Sequence, residues 1–353
     1  MNTPNEWYMQ RCITLAEKGA GSVAPNPMVG AVLVYQDQII GEGWHEQFGT
    51  AHAEVRCIQN AEDNGHGHLL PQSTMYVSLE PCAHHGKTPP CSDLIIRKNI
   101  PRVIIGCRDP FVHVNGKGIE KLRNAGVDVE EGVLEQACRQ LNKRFFTFHQ
   151  QHRPYIILKW AQTSDGFIAS NSAERLLISN EITNKRVHLW RSEEAAILVG
   201  SKTALKDNPV LTNRLGHGAQ PIRLLLDRYL QLPAQLFLLS DAMKTIVFNT
   251  IRQETIGAKA FVQLKDQASI LQEMMDALYQ MNIQSVLVEG GATLINQFIA
   301  LNLWDEARVI TNQELEIKNG LSAPLLKLAT KQTTETVLND RIDYFTNPLI
   351  ASL

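Results

Sequence analysis

The sequence predicts two successive α/β domains, and three observations carry that prediction. The chain has 353 residues, about twice the usual length of one domain. Short apolar, strand-like runs alternate with helical patterns, which calls for sheets covered by helices. The alternation breaks once, at the polar, basic segment Phe148-His149-Gln150-Gln151-His152-Arg153-Pro154, and then resumes with a fresh set of strands. Domains are therefore expected at residues 1–147 and 148–353.

The first domain opens with an amphipathic helix in which Tyr8, Cys12, Leu15 and Ala16 recur at helical spacing and Gly19 is placed to end it. After the Pro/Gly stretch Ala24 to Gly30, strands are expected at Ala31 to Tyr35, Thr74 to Leu79 and Arg102 to Cys107. Helical patterns cover His52 to Ala61, Ser92 to Lys98 and Ile119 to Asn124. This is the pattern of a three-layer α/β domain. In the second domain strands are expected at Tyr155 to Lys159, Ala195 to Val199, Ile222 to Leu226, Thr245 to Phe248 and Ser285 to Val288. Residues 250–285 and 312–353 carry no assignable chemistry, and no internal repeat is visible.

Composition narrows the function classes. Apolar residues make up 44% and charged residues 20%, which excludes intrinsic disorder. The net charge of −2 argues against a general nucleic-acid binder. No apolar run approaches the roughly 20 residues of a membrane span, and the start Met1-Asn2-Thr3-Pro4 lacks a secretory signal. Six cysteines in such a chain are too few for a disulfide framework. A soluble, cytoplasmic protein with neither membrane nor nucleic-acid partner is expected.

Two clusters carry chemistry. In the first, His52-Ala53-Glu54 precedes Pro81-Cys82 and Cys91. One His and two Cys supply the three protein ligands of a catalytic zinc, leaving a fourth position for water. A Glu two residues from the His can carry a proton from activated water to a departing nitrogen, as in zinc deaminases. Each fragment alone is commonplace; a structural zinc would need a fourth ligand, for which Cys57, Cys107, His84 and His85 are the candidates. Cys12, Cys57, Cys107 and Cys138 otherwise read as small core residues. In the second cluster, strand Ser285 to Val288 runs into Glu289-Gly290-Gly291, where glycines and a helix N-terminus suit a phosphate. Trp160 and Trp190 read as core or interface aromatics.

Pro25-Asn26-Pro27-x-Val29-Gly30, Gly43-x-His45, His52-Ala53-Glu54-Val55 and the thirteen-residue run Leu79 to Cys91 resemble the deaminase half of the RibD family, bifunctional riboflavin-biosynthesis deaminase/reductases. Lys159 to Gly166, Thr203-x-x-x-Asp207-Asn208-Pro209-x-Leu211-Thr212-x-Arg214 and Glu289 to Asn296 resemble its reductase half, so the resemblance spans essentially the whole chain. It implies an N-terminal cytidine-deaminase-like three-layer α/β/α domain followed by a dihydrofolate-reductase-like α/β domain. The implied cofactors are Zn2+ and NADPH, and the implied assembly is a homodimer or higher homo-oligomer. The implied substrates are phosphorylated pyrimidines. First, the 2-amino group of 2,5-diamino-6-ribosylamino-4(3H)-pyrimidinone 5′-phosphate leaves as ammonia. Then the ribosyl side chain of 5-amino-6-(5-phosphoribosylamino)uracil is reduced to ribityl. By that resemblance His52, Cys82 and Cys91 hold zinc and Glu54 is catalytic. Asn26, His45 and Lys87 bind the first substrate, and Arg191, Leu211, Arg214 and Glu289 bind the second. Ala161, Leu177, Thr203, Asp207, Gly291, Ala292, Thr293, Leu294, Ile295, Asn296 and Gln297 bind NADPH.

Three departures mark this chain. Phe111 replaces an asparagine expected at the substrate phosphate. Either Asn115, Lys117 or a backbone amide takes its place, or the phosphate goes without that polar partner. In the segment Ala173 to Ser179, Arg175 replaces a substrate-contacting serine and Leu177 a tryptophan beside the cofactor. An active deaminase with a weakened or specialised reductase is the alternative. A zinc-stabilised binding module and a nucleic-acid deaminase stand further off.

Overall fold

The computed structural model describes residues 3–83, 89–111, 114–171, 176–215, 218–240, 242–265 and 268–350. The chain divides into two compact units, Met1–His152 and Arg153–Leu353. A helix, Lys143–Gln151, runs through the position where the sequence placed the boundary, so the division falls five residues later than residue 147.

The first unit contains helices α1 (Pro4–Glu17), α2 (Ala53–Asp63), α3 (Cys91–Arg97), α4 (Lys117–Asn124), α5 (Glu135–Leu141) and α6 (Lys143–Gln151). Its strands are β1 (Gly30–Tyr35), β2 (Gln38–Trp44), β3 (Thr74–Leu79), β4 (Arg102–Cys107) and β5 (Asp128–Glu131), in the order β2-β1-β3-β4-β5. β1 pairs antiparallel with β2 and β3, and β3, β4 and β5 run parallel. α1 starts where it does because Thr3 and Glu6 form a reciprocal capping box, with Pro4 in the first turn. Successive residues of β1 face opposite layers: Ala31 and Leu33 pack with Cys57 and Ile58 of α2 and Leu122 of α4, while Val32 and Val34 pack with Cys12 and Leu15 of α1. Burial on both faces explains why β1 reads as an unbroken apolar run. β2 escaped the sequence reading because Gly41 and Gly43 interrupt it. α2 packs so close that a Cβ on Gly43 would lie 2.3 Å from the Cys57 nitrogen.

The second unit contains helices α7 (Glu181–Glu193), α8 (Ser201–Asp207), α9 (Phe237–Ser240), α10 (Ile270–Gln280) and α11 (Ala292–Ala300). Strands β6 (Tyr155–Gln162), β8 (Ala196–Gly200), β9 (Ile222–Leu226), β10 (Thr245–Asn249), β12 (Lys259–Gln263), β13 (Ser285–Val288) and β14 (Glu306–Asn312) run parallel. Antiparallel strands flank them: β11 (Glu254–Ile256) at one edge, β16 (Thr330–Val337) and β17 (Asp340–Thr346) at the other. The order is β11-β12-β10-β9-β8-β13-β6-β14-β17-β16, and β7 (Phe167–Ser170) pairs separately with β15 (Gly320–Ser322). α10 and α11 cover one face through Met274, Leu278, Ile295 and Phe298. α7 covers part of the other face through Val187 and Trp190. Residues 250–285 and 312–353 thus supply sheet edges and a covering helix. The carboxyl ends of adjacent β6, β13 and β8 face one region, where ligands collect in α/β sheets.

Candidate active sites

In the first unit, three elements deliver the metal-binding side chains to one point. His52 is the N-cap of α2, Cys82 follows β3, and Cys91 opens α3. His52 Nδ1 lies 3.3 Å from Cys91 Sγ and 3.7 Å from Cys82 Sγ, and all three ligand atoms fall within 4.8 Å of one another. Around a tetrahedral zinc, nitrogen–sulfur and sulfur–sulfur edges are about 3.5 and 3.8 Å, so this donor set fits the ion. Among the described residues no fourth ligand joins them: Cys57 donates to the Gly41 carbonyl and Cys107 to that of Ser78. His84, His85 and Lys87 lie outside the described residues.

Glu54, in the first turn of α2, is 3% exposed, and burial pushes its carboxyl up to about 7. Hydrogen bonding to Cys91 and His52 pulls the Cys82 thiol well below its usual range, against burial, which favours the thiolate. His45 packs edge-on against His52 at 5.5 Å between ring centroids. Its Nδ1 lies 3.1 Å from the Ala51 carbonyl and therefore carries the proton, which leaves Nε2 to accept from Asn26 Nδ2 at 3.1 Å. His45 thus stands beside His52, with Asn26 hydrogen-bonded to it.

Two supporting residues were not foreseen. Glu80, 4% exposed, accepts backbone N–H groups from Asp109, Gly116, Gly118 and Ile119, tying the loop before α4 to the Cys82 segment. Asn142 accepts from Met28 N–H and donates to Met28 O, both at 2.8 Å, and so fixes the loop carrying Asn26. Both fall in stretches read only for other features. Phe111 packs edge-on against His149 at 5.0 Å, so its ring joins an aromatic cluster and not a polar contact.

In the second unit, Arg191 of α7 donates from Nε and Nη2 to the two Glu289 oxygens at 2.8 Å each and from Nη1 to Thr212 O at 3.2 Å. Glu193 and Glu194, which follow Arg191 in the chain, lie 3.7 and 3.9 Å from Arg308. Lys159 stands 3.7 Å from Glu289, a third member that the sequence reading did not single out. Burial would push Glu289 up, but Arg191 and Lys159 outweigh it and hold the carboxyl at about 2. Thr203 Oγ1 accepts the Gly291 N–H at 2.8 Å, joining α8 to the start of α11. A Cβ on Gly291 would come within 3.1 Å of that oxygen. Gly291, Ala292 and Thr293 therefore form a close-fitting helix start whose first-turn amides suit a dinucleotide phosphate.

The remaining cofactor candidates are less alike. Leu294 and Ile295 are 5% and 0% exposed and pack into the core. Asn296 is exposed and Gln297 half-buried on the same helix. Ala161 lies on β6 against the α7 layer, Asp207 ends α8, and Leu177 is 73% exposed. Leu211 is buried with a left-handed φ of 55°, whereas the Arg214 side chain is exposed. Arg175 lies outside the described residues.

Residues 2–107 match the family described as the cytidine and deoxycytidylate deaminase zinc-binding region, and residues 154–312 match the RibD C-terminal domain. The chain is 37% identical over 348 residues to the riboflavin biosynthesis protein RibD of Aquifex aeolicus, covering 97% of this chain and 96% of that one. Against RibD of Escherichia coli it is 34% identical over 320 residues, covering 86% of each. A crystal structure of a diaminohydroxyphosphoribosylaminopyrimidine deaminase/5-amino-6-(5-phosphoribosylamino)uracil reductase from Thermotoga maritima superposes with a TM-score of 0.87 at 37% identity, covering 98% of this chain and 99% of that one. Acinetobacter baumannii RibD gives 0.89 at 31% identity, with 97% and 98% covered.

Proposed function

The chain belongs to the RibD family of riboflavin biosynthesis, and from that premise we infer that it is a bifunctional enzyme, a zinc-dependent pyrimidine deaminase followed by an NADPH-dependent reductase. The observation that carries the reading is the convergence of His52, Cys82 and Cys91 beside the buried Glu54. In the deaminase half the substrate is 2,5-diamino-6-ribosylamino-4(3H)-pyrimidinone 5′-phosphate and the leaving group ammonia. Zinc, when held by those three residues, supplies Lewis-acid activation of water. Glu54 takes a proton on its carboxylate oxygen and delivers it to the departing nitrogen. Burial raises that carboxyl from the usual range, which suits a group that must both take and give a proton. Asn26 and His45 orient the pyrimidine ring, and Lys87 is assigned to the phosphate.

In the reductase half the first-turn amides of α11 with Thr203 are assigned to NADPH, which when bound supplies the hydride. Arg214 presents an exposed guanidinium to the substrate phosphate. Arg191, already bidentate on Glu289, holds that carboxylate and the Thr212 carbonyl in place. Glu289 and Lys159 form the polar wall against which the ribosyl carbon is oriented. A homodimer or higher homo-oligomer in the cytoplasm belongs to the same reading. The test is metal analysis of the purified chain with two assays, ammonia release from the diamino substrate and NADPH oxidation with the deaminated product. Zinc near one equivalent and turnover in both are expected; ammonia release unchanged in Glu54→Gln would overturn the deaminase mechanism.

A further inference from the structure

We propose that His188 is a positioning residue of the reductase site, which as a neutral imidazole holds the Arg214 backbone so that the Arg214 side chain meets the substrate phosphate. The proposal rests on the reading of the second unit as the reductase. His188 lies on α7 one turn before Arg191, and its ring is 4% exposed. Its Nδ1 accepts the Arg214 N–H at 3.2 Å, while Arg191 Nη1 donates to Thr212 O at 3.2 Å. Residues three apart share a helix face, so α7 grips the segment Thr212 to Arg214 at two points.

That segment needs an external hold. It follows Leu211, whose left-handed φ of 55° is disfavoured for a leucine, so local preference does not set the direction of the chain. Of the two arginines only Arg214 has an exposed side chain; the Arg191 guanidinium is spent on Glu289 and Thr212. An aliphatic side chain at 188 would fill the space but leave the Arg214 amide without its acceptor. A histidine serves only while Nδ1 is unprotonated, and its surroundings ensure that. Burial, then the charges of Arg191 and Arg214, hold His188 down at about 4, opposed by Glu289 and the Thr212 carbonyl.

The experiment uses the full zinc-loaded chain and follows NADPH oxidation with the deaminated substrate, in its 5′-phosphate and dephosphorylated forms. In His188→Leu the KM for the phosphorylated form should rise roughly tenfold, as expected when one hydrogen bond in a binding site is removed. The kcat should stay within about twofold, and the KM for the dephosphorylated form should not move. His188→Asn, whose Oδ1 stands close to the position of Nδ1, should restore most of the loss. If His188→Leu fails to fold, His188→Gln, with its oxygen one bond further out, should give the same phosphate-dependent KM rise at smaller size. A KM shift common to both substrate forms, an equal defect in the Asn variant, or no change in either test variant would overturn the proposal. A cooperative thermal transition of the second unit, which holds residue 188, certifies each variant chain. Absence of NADPH oxidation by the wild type would overturn the reductase reading itself.

Discussion

Replacing Glu80 by Gln tests how the zinc loop is held. Its two carboxylate oxygens share four backbone donors: Oε1 takes Gly118 and Ile119 at 2.9 and 3.4 Å, and Oε2 takes Gly116 and Asp109 at 2.9 and 3.3 Å. An amide in that place keeps one oxygen, and whichever way it turns, its NH2 faces two N–H groups. Each buried donor left without an acceptor costs about 1–3 kcal/mol, so the change should destabilise the first unit by about 2–6 kcal/mol. Glu80→Ala, which strands all four donors, should cost more. Urea unfolding followed through zinc release, captured by a coloured chelator, reads the first unit alone. With a slope of about 2 kcal/mol per molar, the midpoint should fall by about 1–3 M. An unshifted midpoint in Glu80→Gln would refute the reasoning, because it would mean the four hydrogen bonds carry no net stabilisation.

Glu54→Gln should lower ammonia release by about 10²–10⁴-fold while zinc content stays at the wild-type level, checked by a coupled ammonia assay and elemental analysis. Chelation of zinc should abolish ammonia release and leave NADPH oxidation with the deaminated substrate intact, since His52, Cys82 and Cys91 all lie in the first unit. Arg153 donates to both oxygens of Asp305 at 2.6 and 2.7 Å with both residues buried. Arg153→Ala should therefore lower the thermal transition of the second unit, by about 3–5 kcal/mol in calorimetry. His188 sits at about 4 against an ordinary 6.5 and Glu289 at about 2 against 4.5, so in both cases the unfolded chain takes up the proton first. The stability they contribute is complete above pH 6.5 and declines as pH falls through 6.5 to 4 and then 4.5 to 2. Thermal melts across pH should show it, with the upper slope removed in His188→Asn.

The zinc cluster was legible because its residue types are rare and its spacing is local. His52 and Glu54 share one turn of α2, and Cys82 and Cys91 bracket a single loop. The strands read correctly for a related reason. Thr74–Leu79, Arg102–Cys107, Ile222–Leu226 and Ser285–Val288 are strands buried on both faces, and each shows as an apolar run. β16 was invisible because its residues Thr330–Val337 are polar and mostly exposed at a sheet edge. The reductase site was harder, since its central ion pair joins Arg191 to a residue 98 positions away. Only the adjacency of β6, β13 and β8 brings Lys159 and Glu289 to α7. Leu294 and Ile295 with Phe298 mark the apolar face of α11, which packs on the core.

Both units contain buried acids whose oxygens are taken up by donors of the protein itself. Glu80 organises the loop behind Cys82. Asp305 takes the Ile156 N–H as well as Arg153 at the root of β6, and Asp227 takes the N–H groups of Gln231 and Leu232 after β9. Sequence alone does not separate such anchors from catalytic acids, because both are carboxylates in apolar surroundings. Their hydrogen bonds do. A carboxylate filled with backbone donors has no lone pair left to receive a proton from substrate, and the loop it holds would collapse if it did. Around the zinc ligands, Glu80 is filled in this way and Asp109 is turned toward the Phe111 amide. Glu54 is equally buried, but its carboxyl lies beside Cys91 and His52. That place beside the zinc-binding residues, and not burial alone, sets it apart from Glu80.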